Sequence, residues 1–262
     1  MVRVATIPYL NTIPFVYGIK QKALDNLQLS FATPSVAAHQ LLHNLCDVAL
    51  LPVAAIPSLP WYKIVSNFCI GALSKVASVL LCSQIPVTHI KEISLDNESR
   101  TSVLLAKLLL RDYWRVSPNY VPLHSFAPLP IQTMGGADQP PPSPLSSPTP
   151  QSVVIIGDKA LLYGNTYPYI YDLAEAWITW TGKPFVFAVW VANKPLPEDF
   201  SALFDKAMAF GVEHLDEAIA AEAGKICSSS FAKTYLTQNI SYSLDGAKYE
   251  GLRMFLDKIQ YL

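Results

Sequence analysis

Short β-branched, apolar runs alternate with stretches of helical spacing through most of the chain. Val2, Val4 and Ile7 form the first run, closed by Pro8, and predict a buried strand. Asn11 and Thr12 follow, with Pro14 just behind. Either polar residue can cap a helix whose first turn holds the proline, running to about Lys22. Residues 27–32 alternate like a strand, Pro34-Ser35 opens a helix to about Asn44, and 47–52 is an apolar strand ending at a proline. That order predicts βα units in a mostly parallel sheet, hence an α/β fold.

Further strands are predicted at Ile64-Val65 and 76–82, with 88–95 leading into a helix at 99–114 and a weak strand at 120–122. From 124 to 152 the composition shifts to proline, serine and glycine, which cannot build a core and predicts an exposed loop insertion at about 136–151. Val153-Val154-Ile155-Ile156 resumes the sheet, Gly157-Asp158 begins a helix, and Asp172 starts another that ends near Gly182. The apolar run 184–192 is a strand buried on both faces if central. Pro197-Glu198-Asp199 signals a helix start, and the remainder is expected to be helical, with Tyr249, Leu252, Leu256 and Ile259 as one apolar stripe. Two lobes follow, residues 1–84 plus 188–262 and residues 85–187, with strands near 76–83 and 185–193 crossing between them. A cleft between lobes is a usual ligand site.

Composition narrows the function classes. Of 262 residues, 51% are hydrophobic and 15% charged, with net charge -1 and mean hydropathy +0.27. Nothing suggests a nucleic-acid surface or a polybasic membrane patch, and no apolar run reaches the length of a membrane span. Met1-Val2-Arg3-Val4 leads directly into a strand without a basic and then apolar leader, which predicts a cytoplasmic location. Cys46, Cys69, Cys82 and Cys227 are isolated and read as small buried hydrophobes. His39 and His43 have zinc-pair spacing, but Gln40 stands where a metalloprotease has its glutamate and no third ligand is evident. There is no G-x-S-x-G, G-x-G-x-x-G or P-loop, so neither a metal nor a cofactor is expected.

What remains is a set of small polar groups where strands turn into helices. Asn11 and Thr12 form the first, Ser99, Arg100, Thr101 and Ser102 the second, Gly157 and Asp158 the third. Each reads as a helix cap. The first also offers a small anion unpaired N–H groups beside polar side chains, and the second offers a carboxylate the helix dipole, hydroxyls and a guanidinium. Trp177 and Trp190 read as core.

Taken together, Tyr9-Leu10-Asn11-Thr12-x-Pro14-Phe15, Ser78-Val79-Leu80-Leu81, Leu95-Asp96-x-x-Ser99-Arg100-Thr101-Ser102, Ile156-Gly157-Asp158 and Thr181-Gly182-x-Pro184-Phe185-Val186-Phe187-Ala188-x-Trp190 resemble the chorismate dehydratase family of the futalosine route to menaquinone. Tyr235-Leu236 and Ile240-x-Tyr242 extend the match. The resemblance implies a two-lobed, type II periplasmic-binding-protein-like fold used as a cytoplasmic lyase. Its small-molecule substrate would be chorismate and its product 3-[(1-carboxyvinyl)oxy]benzoate. It implies a catalytic role for Asn11, as a group that orients substrate or leaving hydroxyl. Substrate binding would fall to Tyr9, Thr12, Ser78, Ser99, Arg100, Thr101, Ser102, Gly157 and Asp158. The rivals are a small-carboxylate binding protein of the same fold, a regulator's effector domain, and the sister dihydroxynaphthoate synthase, which lacks the Tyr-Leu-Asn-Thr signature. The chain departs from the family pattern at Ala72-Leu73-Ser74-Lys75, where Ser and Gly-Pro are usual, and in the length of its proline-rich segment.

Overall fold

The computed structural model describes residues 1–123 and 150–262, apart from 23, 25, 97, 164–165 and 224–226. Residues 124–149, nearly all of the expected insertion, lie outside the described residues. The chain first lays down β1 (Val2–Thr6), β2 (Leu27–Phe31), β3 (Val48–Pro52) and β4 (Lys63–Ala72). It then builds a second sheet from β5 (Val79–Ser83), β6 (Glu92–Leu95), β7 (Asn119–Pro122), β8 (Ser152–Ile156) and β9 (Tyr169–Asp172). It returns to the first with β10 (Phe185–Ala192) and β11 (Ser241–Ser243). The first sheet has the order β11-β4-β10-β3-β1-β2 and the second β7-β6-β8-β5-β9.

β1 lies parallel to both β2 and β3, joined by α1 (Ile13–Gln21) and α2 (Pro34–Leu42). β10 sits between β3 and β4, antiparallel to both. All eight of its residues are buried, as a two-sided apolar run requires. β9 and β11 were not expected. Both are short edge strands without a run of apolar alternation.

The sheets divide elsewhere than the apolar runs suggested. Val79–Ser83 pairs with β8 and β9, so the second sheet begins at 79 and not after 84. Phe185 and Val186 pair with Ala72 and Gly71, so the first sheet resumes at 185 and not at 188. The crossings are turns, not long strands. Ala77 takes φ 60° at the first, where its N–H donates to the Asp172 carboxylate at 2.7 Å, and Gly182 takes φ 69° at the second. A continuous apolar run from Val76 hides that break, because the partner that causes it is 95 residues away.

The region predicted as one helix at 99–114 is α3 (Arg100–Leu108) followed by a π turn at Leu109–Tyr113. After β8 come α4 (Asp158–Tyr163) and, beyond β9, α5 (Leu173–Thr181). After β10 come α6 (Phe200–Glu213), α7 (Leu215–Glu222), α8 (Ser229–Gln238) and α9 (Gly246–Ile259). The stripe expected on α9 is rotated. Lys248, Gly251, Leu252 and Phe255 are buried, while Tyr249 is exposed. Gly251 allows this, because a Cβ there would strike the Pro184 carbonyl. Phe255 then packs edge-on against Phe185 and Trp177, at centroid distances of 5.0 and 5.9 Å. This cluster ties α5 to β10 and α9 beside the second crossing. Trp190 holds the other core cluster with Phe15 and Phe204. Both tryptophans are core, as read from the sequence.

Candidate functional site

Where the two sheets face each other they enclose a narrow cleft of about 60 Å³ that is partly open to solvent. Ile7, Leu50, Ile70, Phe187 and Ala188 line it from the first sheet, and Val76, Val79 and Ile156 from the first crossing and the second sheet. Against this apolar wall stand the polar side chains of Tyr9, Asn11, Thr12, Ser78, Ser99 and Ser102, with the backbone of Gly157. Among the described residues that line it there is no carboxylate, imidazole, thiol or amine. What polarity the cleft has comes from hydroxyls, one amide and the starts of α1, α2 and α3, whose unpaired N–H groups carry partial positive charge.

The chain builds each corner differently. After β1, a 3-10 turn at Leu10–Thr12 runs into α1. Neither Asn11 nor Thr12 caps α1 through its side chain. The Thr12 hydroxyl instead reaches back to the carbonyls of Ile7 and Tyr9 at 2.5 and 2.8 Å, pinning the turn. This leaves the half-buried Asn11 amide free of a capping duty. Ser99 does cap α3, accepting the Ser102 N–H at 3.3 Å, and its hydroxyl is 3.1 Å from that of Ser102. Ser78 follows the first crossing and is buried; its hydroxyl accepts from Tyr235 at 2.9 Å and its carbonyl accepts the Gly157 N–H at 2.8 Å.

Seven of the ten expected residues therefore meet in the cleft, namely Tyr9, Asn11, Thr12, Ser78, Ser99, Ser102 and Gly157. Arg100, Thr101 and Asp158 are not among its lining. Helical rotation explains the first two, since consecutive residues on α3 point about 100° apart. Arg100 is exposed in an adjoining groove with His39 and Leu59, its guanidinium donating to Ser58 at 3.2 Å. Thr101 is fully buried and accepts the Ala54 N–H at 3.1 Å. Asp158 accepts the Leu10 N–H at 3.2 Å instead of capping its own helix. Burial pushes the Asp158 carboxyl up, and the Leu10 bond pulls partly against that.

These contacts form part of a strap across the rim that sequence reasoning missed. The Tyr9 hydroxyl donates to Glu98 at 2.9 Å, Lys159 donates to the other Glu98 oxygen at 2.7 Å, and Asp96 lies 3.6 Å from Lys159. Burial raises the Glu98 carboxyl, but the bonds from Lys159 and Tyr9 outweigh it and the net shift is downward. Burial, then the Glu98 charge, drives the Tyr9 phenol far above its ordinary value, so it is a neutral donor. The Tyr9 ring rests on Gly157, which has φ 62°; a Cβ there would sit 3.2 Å from ring carbons. No local pattern marks Glu98 or Lys159, because Tyr9 lies 89 residues from Glu98 and Lys159 lies 61 from it. His39 and His43 lie side by side, with ring centroids 4.2 Å apart and planes tilted by 45°. Among the described residues no group of three or more His, Cys, Asp or Glu side chains is placed to hold a metal. No helix there is long and apolar enough to cross a membrane.

Two sheets around a cleft, with the return strand β10 inside the first, define a periplasmic-binding-protein-like fold. The Candida albicans CA3427 gene product, which exhibits the generic form of that fold, matches with TM-score 0.61 at 13% identity, over 100% of this chain and 90% of its own. The aliphatic sulphonate binding protein SsuA from Escherichia coli matches with TM-score 0.59 at 13% identity, over 99% and 91%. The model of the family described as menaquinone biosynthesis matches residues 2–261, and the chain belongs to that family. A chorismate dehydratase from Thermus thermophilus is 27% identical over an alignment of 212 positions that covers 74% of this chain and 72% of that protein.

Proposed function

We propose that this protein is a chorismate dehydratase, a lyase that removes water from chorismate to give 3-[(1-carboxyvinyl)oxy]benzoate. The observation that carries the reading is the cleft lining, which joins hydroxyls, an amide and helix starts to an apolar wall. It suits a flat ring bearing carboxylates, bound by neutral donors. The ring proton at the ether-bearing carbon leaves with its electron pair going into the ring, and the neighbouring hydroxyl departs as water. Aromatisation drives the step.

A base must take that proton. The Tyr9 phenol is the one ionisable side chain among the described lining residues, and it is held neutral. The substrate's own side-chain carboxylate is then the group at hand to accept it. An amide is a poor base and a good orienting group, so Asn11 aligns the substrate or the leaving hydroxyl. Ser99 and Ser102, at the start of α3, receive a carboxylate.

Purified protein given chorismate yields the enolpyruvyl benzoate, followed by chromatography with mass detection. Recovery of unchanged chorismate, bound or free, overturns the proposal and leaves a binding module. Asn11→Ala keeps its melting temperature, since Thr12 pins the turn. It loses about 100-fold or more in kcat with little change in substrate affinity, as for a donor that acts at the transition state.

A further inference from the structure

Two tyrosines of the C-terminal segment reach back about 160 and 230 residues in sequence to touch the polar corner of the cleft. Tyr235, on α8, is 3% exposed and donates to the Ser78 hydroxyl at 2.9 Å. Tyr242, on β11, is 7% exposed and donates to the Asn11 carbonyl at 3.1 Å. Neither lines the cleft, whereas Ser78 and Asn11 both do.

We propose that Tyr235 is a positioning residue, which aims the Ser78 hydroxyl proton into the cleft and holds it beside the Asn11 amide. A serine hydroxyl has one proton and two acceptor sites, and its rotor is otherwise free. The Tyr235 proton occupies an acceptor site on Ser78, so the Ser78 proton points elsewhere. The Gly157 N–H takes the Ser78 carbonyl, so the backbone on that side is fixed as well. The open direction is the cavity. Burial keeps the Tyr235 phenol protonated, outweighing the hydrogen bonds with the Ser78 and Asn11 side chains that favour its charged form. Tyr235 therefore remains a donor across the working range of pH. Tyr242 fixes the backbone of Asn11 from the other side. Preorganised donors of this kind cost no reorganisation when charge develops on a substrate oxygen.

The inference deepens the dehydratase reading and rests on it for the catalytic effect. The geometry itself is tested without substrate. In ligand-free protein carrying labelled tyrosine, the Tyr235 hydroxyl proton exchanges slowly, shows a cross-relaxation peak to the Ser78 methylene, and shifts in Ser78→Ala. A hydroxyl that exchanges with bulk water or ignores Ser78→Ala overturns the positioning role whatever the reaction proves to be. With wild-type turnover of chorismate established, Tyr235→Phe removes only the hydroxyl. It lowers kcat by about 100-fold, the usual cost of misplacing a reacting group by an ångström, and leaves KM within about threefold. The double variant Tyr235→Phe/Ser78→Ala loses far less than the product of the two single losses, because both remove the Tyr235–Ser78 bond. Wild-type kcat in Tyr235→Phe, or additive losses in the double variant, overturns the proposal. Should Tyr235→Phe fail to fold, the resonance measurements on wild type and Ser78→Ala decide it.

Discussion

The interior of the cleft and its rim are about one side chain apart and built from different chemistry. Inside, the described polar lining comprises neutral groups, Tyr9, Asn11, Thr12, Ser78, Ser99 and Ser102. At the rim, Lys159 pairs with Glu98 and Asp96 within the second lobe, and two hydrogen bonds to carboxylates, from the Tyr9 hydroxyl to Glu98 and from the Leu10 N–H to Asp158, join that lobe to the first. Tyr9 belongs to both, with its ring toward the cavity and its hydroxyl on Glu98. A fixed charge inside would have to be stripped of water each time the lobes closed, at a cost of several kcal/mol. Helix starts and hydroxyls attract a carboxylate without that cost. At the rim, the two bonds between lobes are hydrogen bonds to carboxylates, each worth about 1.5–3 kcal/mol.

The largest expected break in this division is Gly157→Ala. A Cβ there presses on the Tyr9 ring, the residue both regions share, and φ 62° strains any side chain. Activity falls about 100-fold as Tyr9 is displaced. Gly182→Ala is the control, since it has φ 69° but nothing within 4 Å. It costs only the backbone strain, about 1 kcal/mol in chemical denaturation, and keeps its activity.

Glu98→Gln tests the rim alone. It weakens the strap and increases the fraction of open molecules, seen as a larger radius of gyration in solution scattering. The pH dependence has a fixed sign. The folded pKa of Glu98 lies below its ordinary value of 4.5, so the native state binds fewer protons than the unfolded one. Its contribution is present above 4.5 and is lost as pH falls through the lowered value. Glu98→Gln removes that slope, and an unchanged acid slope would show that the strap does not close the lobes.

Ser99→Ala affects the interior without altering charge. Loss of the α3 cap costs about 1 kcal/mol of stability, read as a lower melting temperature, and KM for chorismate rises several-fold. Arg100→Gln has the smallest effect. Its guanidinium lies in the adjoining groove on Ser58, so kcat is unchanged. The kcat/KM falls by about twofold at low salt, and the deficit disappears at high salt as a steering charge is screened.

The strands and helices of the first sheet were readable because β1, β3 and β10 are buried runs closed by prolines or polar turns, and the neighbouring helices begin at prolines. Edge strands β9 and β11 were not, since a short strand with one exposed side carries little pattern of its own. The Ser99 cap was legible because its acceptor and donor are three residues apart. Of the two candidates for the start of α1, Thr12 takes the cap position without a side-chain bond to the helix and Asn11 lines the cavity, while the Asp158 carboxylate, read as a cap, accepts from Leu10, 148 residues away.

The chain by itself determined the α/β class, the buried central strand, the tryptophan cores and the polar corners at Asn11, Ser99 and Gly157. Those depend on periodicity, proline and glycine, and on propensities that act within a few residues. Tertiary structure decided which residue of each corner faces the cavity, where one sheet hands over to the other, and that Tyr235 and Glu98 serve the site. Those outcomes depend on helical rotation and on partners 89 to 157 residues apart, as in Tyr9–Glu98 and Ser78–Tyr235. Such pairs are set by the packing of the two lobes, and no local pattern encodes them.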